Sequence, residues 1–391
     1  MKKICLVVGN TLPVPAVMGG AIEELVTVLL EQNEIEKKIE LVVFSKANEQ
    51  AEKMAERYKN SEVIFVPEDN FIDKVNNRIR RYLSVFFKPG FLTDSGYCRK
   101  VYKELKKRSF DAVVSEGVLQ EQFRRYATKF GKEKMYLHIH HHILADPAFD
   151  DVYGNIIAVS EFVKKEWMRT TKQKNTKYHV VYNCVNEDKF LKRISLEERN
   201  TLRRKLDISE SDFVVLYCGR IQDVKGVKQL LQAFFMIKKK DIKLLIIGNA
   251  DFAVNTQTPF LKEVESFVQR DLERIKFTGY IENAELYQYY QCADVQVIPS
   301  MWEEAAGLVA IEGMLSGLPL IVTKSGGLVE YAPAHVALQV DRKNIVEELK
   351  TSITMLYDNP EKLREMSEAS REHAKIFTRS QYYNSYIKAF W

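Results

Sequence analysis

The stretch from Asp294 to Thr323 constrains this chain more than any other, because it reads without a gap as strand, loop, helix and strand. Asp294-Val295-Gln296-Val297-Ile298 is a short apolar run stopped by Pro299-Ser300, the pattern of a buried strand. After a loop, Gly307 opens a segment with apolar residues at 308, 311, 314 and 315, the spacing of one helical face. Gly317-Leu318-Pro319 closes it, since glycine suits the C-terminal cap and proline cannot continue a helix. Leu320-Ile321-Val322-Thr323 is the next strand. The result is a βαβ unit with two carboxylates around the start of its helix.

A helix N-terminus offers unpaired amides and about half a positive charge, which suits a phosphate. Gly307 is expected to let a diphosphate approach the backbone. Glu304 lies in the loop before the helix and Glu312 within it. Acceptor-only side chains are poor partners for an anion but good ones for hydroxyls on either side of it. A second cationic feature lies upstream: Cys218-Gly219-Arg220-Ile221, then Lys225-Gly226, between a strand at Phe213–Tyr217 and a helix from Val227. Arg220 brings a planar fork for two phosphate oxygens and Lys225 a compact charge for another.

The N-terminal half alternates strands and helices, so a doubly wound parallel sheet is expected. Its first strand, Ile4 to Gly9, leads to Gly19-Gly20 and a helix from Ala21 to about Gln32. Strands follow at Glu40–Phe44, Glu62–Val66, Asp111–Ser115 and Asn155–Ser160. The strand from Met135 runs into His138, His140, His141 and His142, four of the seven histidines. No carboxylate or cysteine completes a metal set at usual spacing, so no metal site is expected. In Phe71–Leu92, apolar residues at 72, 75, 79, 83 and 86 share a helical face flanked by Arg78, Arg80, Arg81 and Lys88. That face suits either the core or an anionic membrane surface.

The chain has 391 residues, more than one core comfortably holds, and 46% apolar with 28% charged residues is a globular composition. No apolar run is long enough to span a bilayer, and Met1-Lys2-Lys3 leads straight into a strand. Five scattered cysteines without a Cys-x-x-Cys pair fit a reducing cytoplasm. Residues 1–185 hold 30 basic against 24 acidic side chains, and residues 186–391 hold 28 against 29. An anionic partner is therefore expected on the first half. No nucleic-acid partner is expected.

The Pro-Ser, Glu, seven residues, Glu, Gly-x-Pro pattern of 299–319, with Gly-Arg…Lys-Gly at 219–226, resembles the signature of retaining glycosyltransferases of family 4. Where many members of that family have Pro-Phe or a similar pair before the glycine, Ala305-Ala306 instead resembles the lipopolysaccharide-core glucosyltransferases. The resemblance implies an α/β GT-B fold: two Rossmann-like doubly wound domains facing a cleft. The acceptor-side domain would be 1–185, the nucleotide-sugar domain 186–378, and a helix at about 379–391 would pack back on the first. The crossing at Val180–Asn186 departs from the family, with Cys184 where glycine is usual.

By that resemblance Glu312 would hold the ribose, Glu304 the transferred sugar with the amides of Gly307 and Leu308, and Arg220 and Lys225 the diphosphate. Gly19, Gly20 and Gly219, the loop with Tyr280 and Ile281, and Val309 would complete the donor site. His140 would lie under the reacting sugar. With no Asp-x-Asp pair in the chain, the implied activity is metal-independent, retaining and without a cofactor. The leaving phosphate would accept the acceptor's proton, and UDP is the expected carrier.

The expected acceptor is a glycan or lipid-linked glycan of the bacterial envelope, met in the cytoplasm at the inner face of the plasma membrane. The alternative is a non-catalytic GT-B protein of a coat or scaffold. An NAD-dependent oxidoreductase is disfavoured because no Gly-x-Gly-x-x-Gly follows the first strand. A glycan phosphorylase would need a lysine for pyridoxal phosphate and a longer chain.

Overall fold

The computed structural model describes residues 1–83, 96–117, 123–146, 150–250 and 257–391. They form two compact units: Met1–Asn183 with Arg379–Trp391, and Cys184–Thr378. Each is built on a parallel sheet whose strands are near-continuous apolar runs. Such runs are what burial on both faces demands.

In the first unit the strands are β1 (Lys2–Val8), β2 (Ile39–Lys46), β3 (Ser61–Val66), β4 (Ala112–Glu116), β5 (Met135–Ile139), β6 (Asn155–Ala158) and β7 (Lys177–Val180). Their order is β3-β2-β1-β4-β5-β6-β7, all pairs parallel. Ile4 to Val8 are wholly buried at the centre. The chain leaves β1 toward one side and β4 toward the other, so the ends of β1 and β4 form the switch point where doubly wound sheets bind ligands.

The second unit contains β8 (Phe213–Cys218), β9 (Ile242–Ile247), β10 (Ile275–Phe277), β11 (Val295–Ile298), β12 (Leu320–Thr323) and β13 (Ala337–Val340), ordered β10-β9-β8-β11-β12-β13. Its pairs are parallel too. Here the switch point lies between β8 and β11. Leu230, Leu231 and Phe234 of the helix Val227–Met236 pack on β8 and β9 in one core with Leu349 and Ile353 of the helix Ile345–Asp358. β10 ends at Phe277, and 278–281 are loop. Gly279 there has φ 71°, which breaks a ladder.

The helix Arg379–Lys388 packs against the helix Ala21–Glu36 of the first unit. The Tyr383 hydroxyl donates to Asn33 Oδ1 at 2.6 Å, and Tyr382, Tyr386 and Phe390 are buried beside it. A third helix, Phe71–Leu83, carries the amphipathic stretch. Its apolar face is not in the core: Phe71 is 79%, Ile72 68% and Ile79 52% exposed. Residues 84–92 of that stretch, with Phe86, Phe87 and Lys88, lie outside the described residues, as do the side chains of Arg80, Arg81 and Leu83. Among the described residues no helix is long and apolar enough to cross a membrane.

Candidate active site

The two motifs at 219–226 and 299–319 leave the carboxyl ends of β8 and β11, the two strands at the second unit's switch point. Close backbone packing brings them together. Gly226 has φ 73°, and a Cβ there would sit 1.8 Å from the Pro299 carbonyl oxygen. Any other residue at 226 would push the loops apart. Met301 N–H donates to the Val224 carbonyl at 2.8 Å, tying one loop to the other.

Across this contact Lys225 Nζ donates to Glu304 Oε1 at 2.7 Å and lies 4.6 Å from the centre of the Trp302 ring. Ser300 Oγ donates to the same carboxylate oxygen. Lysine and glutamate are both mostly buried, so their pairing is little screened. Arg220 follows β8 directly, and its carbonyl accepts from the Tyr217 hydroxyl at 2.8 Å. The candidate diphosphate lysine and the candidate sugar glutamate thus share one hydrogen bond, and a bound donor must reach both.

The loop between β11 and the next helix is fixed from several sides. Thr323 Oγ1 donates to the Ser300 carbonyl, Ser325 Oγ to that of Trp302, and Gly327 N–H to that of Glu304. Arg342 donates to the Met301 carbonyl and pairs with Glu303. The helix Leu308–Ser316 then starts with Gly307 as its N-cap and ends at Gly317, φ 84°, as the spacing predicts. Its first amides, from Leu308 and Val309, have no earlier turn to bond to. The glycine at 307 has a packing reason of its own: a Cβ would lie 3.0 Å from Leu328 Cδ1 and 3.1 Å from Tyr331 Cβ. One helical turn on, Glu312 Oε2 accepts from the buried Tyr290 hydroxyl at 2.6 Å. Burial, then the charge of Glu312, pushes the neighbouring Cys218 thiol up to about 12, so it stays protonated.

Gly219 and Gly248 stand where β8 and β9 end, with a Cβ on Gly248 only 1.8 Å from the Gly219 carbonyl oxygen. Tyr280 is exposed and Ile281 half-buried in the loop after β10. In the first unit, Gly19 has φ 75° with open space where a Cβ would be, whereas a Cβ on Gly20 would meet the Glu23 carboxylate.

His140 follows β5 and shares a buried cluster with Glu116, the last residue of β4. His140 Nε2 lies 2.6 Å and His138 Nδ1 3.0 Å from Glu116 Oε2, and the Tyr386 hydroxyl lies 2.6 Å from Oε1. Burial alone would raise the Glu116 carboxyl, but its interactions with His138 and His140 outweigh that and hold it well below the usual carboxylate range. Burial and the neighbouring His138 push His140 down to about 4 against the pull of Glu116. An ionised carboxylate only accepts, so both facing ring nitrogens carry protons. His138 Nε2 is buried and meets no partner among the described residues. His142 instead bonds Glu166.

Glu116 is the carboxylate that sequence spacing did not supply to the histidines. The two are 22 residues apart and become neighbours only because β4 and β5 pair, with Glu116 opposite His138. Among the described residues Glu116, His138 and His140 offer ligand atoms within 4.8 Å of one another. Tetrahedral ligands at about 2.0–2.1 Å from zinc sit about 3.3 Å apart. The separations of 2.6 and 3.0 Å are those of hydrogen bonds instead. Tyr290, Trp302 and Ser300 were also absent from the expected site. A hydroxyl or ring beside a motif has no spacing signature of its own.

Residues 198–373 match the family model described as Glycosyl transferases group 1. An uncharacterized glycosyltransferase of Methanocaldococcus jannaschii is 30% identical over 176 residues, 45% of this chain and 43% of that protein. YtcC of Bacillus subtilis, which bears a glycosyltransferase name, is 24% identical over 96% of this chain and 88% of its own length. Spore coat protein SA of Bacillus subtilis is 25% identical over 83% and 81%. The Anabaena protein HepE, solved in complex with UDP, superposes with a TM-score of 0.74 at 17% identity, covering 99% of both chains. The two Rossmann-like units are those of the GT-B architecture. The match over residues 198–373 and the glycosyltransferase names borne by these relatives support a transferase enzyme.

Proposed function

We propose that the chain is a retaining, metal-independent transferase that moves a sugar from UDP to a glycan or lipid-linked acceptor of the bacterial envelope. The observation that carries this is the meeting of Lys225 with Glu304 beside Arg220 and the amide end of the helix Leu308–Ser316, all at one switch point. As the glycosidic bond loosens, negative charge grows on the leaving diphosphate. Arg220, Lys225 and the helix amides stabilise that charge where it develops, as fixed dipoles and cations do. Glu304 then turns from Lys225 toward hydroxyls of the sugar, while Glu312, held by Tyr290, takes the ribose. Gly219, Gly307, Leu308, Val309, Tyr280 and Ile281 line the donor's path in the second unit. His140 makes one hydrogen bond to the sugar.

The exposed apolar face of the helix Phe71–Leu83, with Lys74 and Arg78 on the same helix, supports contact with an anionic membrane that presents the acceptor. The spore coat relative favours one other reading, a protein that binds a nucleotide sugar without turning it over. Release of UDP from UDP-sugars in the presence of EDTA tests the proposal. Release is expected to persist with the chelator. Loss on chelation with rescue by manganese would refute metal independence, and UDP binding without release would favour the coat reading.

A further inference from the structure

We propose that Glu116 is a positioning residue for His140, and that the segment Arg379–Trp391 takes part in this through Tyr386. The inference rests on His140 being a neighbour of the reacting sugar, and it says in which chemical form His140 is presented. Glu116 is fully buried and its carboxylate receives three donors: both imidazoles on Oε2 and the Tyr386 hydroxyl on Oε1. With Tyr386 occupying Oε1, the other oxygen is turned to the histidines. The bond to Glu116 fixes the His140 proton on Nε2, so only Nδ1 is left for a substrate. A neutral imidazole in that state can accept from a sugar hydroxyl but cannot donate to it.

A merely structural carboxylate would fix the same proton on Nε2 while it tied β4, β5 and the helix Arg379–Lys388 together, but its loss would cost stability without touching the reaction. A fall in kcat at unchanged UDP affinity, accompanied by a changed tautomer, therefore separates the two roles. Glutamine at 116 keeps the shape but loses the charge, and it keeps both imidazole bonds only by turning its amide toward Tyr386, whose hydroxyl then accepts instead of donating; in the other orientation the amide faces the imidazoles and both must give up the facing proton.

The experiment is a two-bond proton–nitrogen correlation spectrum of histidine-labelled protein, read beside steady-state kinetics and UDP calorimetry. The wild type should show His140 as the Nε2–H tautomer. Glu116→Gln should shift or mix that tautomer and lower kcat about tenfold to a hundredfold, with UDP affinity unchanged. Tyr386→Phe should act in the same sense, lowering kcat about threefold to tenfold, and it carries the test if Glu116→Gln does not fold. An unchanged tautomer with kcat within about twofold in the variant that folds would overturn the proposal. Stoichiometric zinc in the purified wild type, lost in Glu116→Gln, would overturn it in favour of a metal centre. His140→Asn tests the underlying reading separately: wild-type kcat there would remove His140 from the reaction, while the spectrum still decides whether Glu116 holds its ring.

Discussion

Lys225 and Glu304 are each other's partners, and this sets what their removal should do. Lys225→Ala takes away a diphosphate contact and leaves Glu304 with Ser300 alone, so turnover should fall about a hundredfold or more. Arg220→Ala should do the same, and near-normal rates in both would show that the diphosphate is held elsewhere. The glutamates should separate by ligand. Glu312→Ala should weaken free UDP, whereas Glu304→Ala should spare UDP and weaken only the intact donor, each by about tenfold to a hundredfold. Tyr290→Phe removes the hydroxyl that aims Glu312, so it should mimic Glu312→Ala in a milder form, about fivefold on UDP. Calorimetry with UDP and with UDP-sugar decides, and equal losses for both ligands in every variant would refute the assignment.

Elements, unlike partners, were largely legible in advance. Apolar runs bounded by Gly, Pro and Ser gave most strands to within a few residues, and Gly317 with Pro319 gave the helix end, because these signals are local. The Glu116 cluster was not legible, since pairing register and the return of a distant helix decide it. That cluster also has a pH signature. Folding lowers the His140 value from 6.5 to about 4, so between those values the unfolded chain binds a proton the folded chain does not. Stability therefore rises with pH through that window, and going from pH 7 to 5 should remove about 2 kcal/mol. Thermal melts should show the drop, smaller in His140→Asn. Some slope should remain, because burial also lowers His179 and His373. For the helix Phe71–Leu83 the expectation is binding to anionic vesicles at low salt, lost at high salt and weakened when Arg78, Arg80 and Arg81 are neutralised together. Wild type left in the supernatant at low salt would remove the membrane from the proposal.

At the scale of the whole molecule, the chain leaves the first unit at Asn183 and returns to it at Arg379. The ribosome therefore makes every residue of the second unit before it makes the piece that completes the first. Until Tyr386 emerges, Glu116 and Asn33 lack a donor each, and the faces that Tyr383 and Phe390 cover stay wet. A chain stopped after Thr378 should keep the melting transition of its second unit and lose that of its first, seen as two transitions reduced to one by calorimetry. Loss of the segment after Thr378 thus registers in the unit made before the second one. A protease that clears loosely folded units would therefore act on the first unit of any chain that stops short of Arg379.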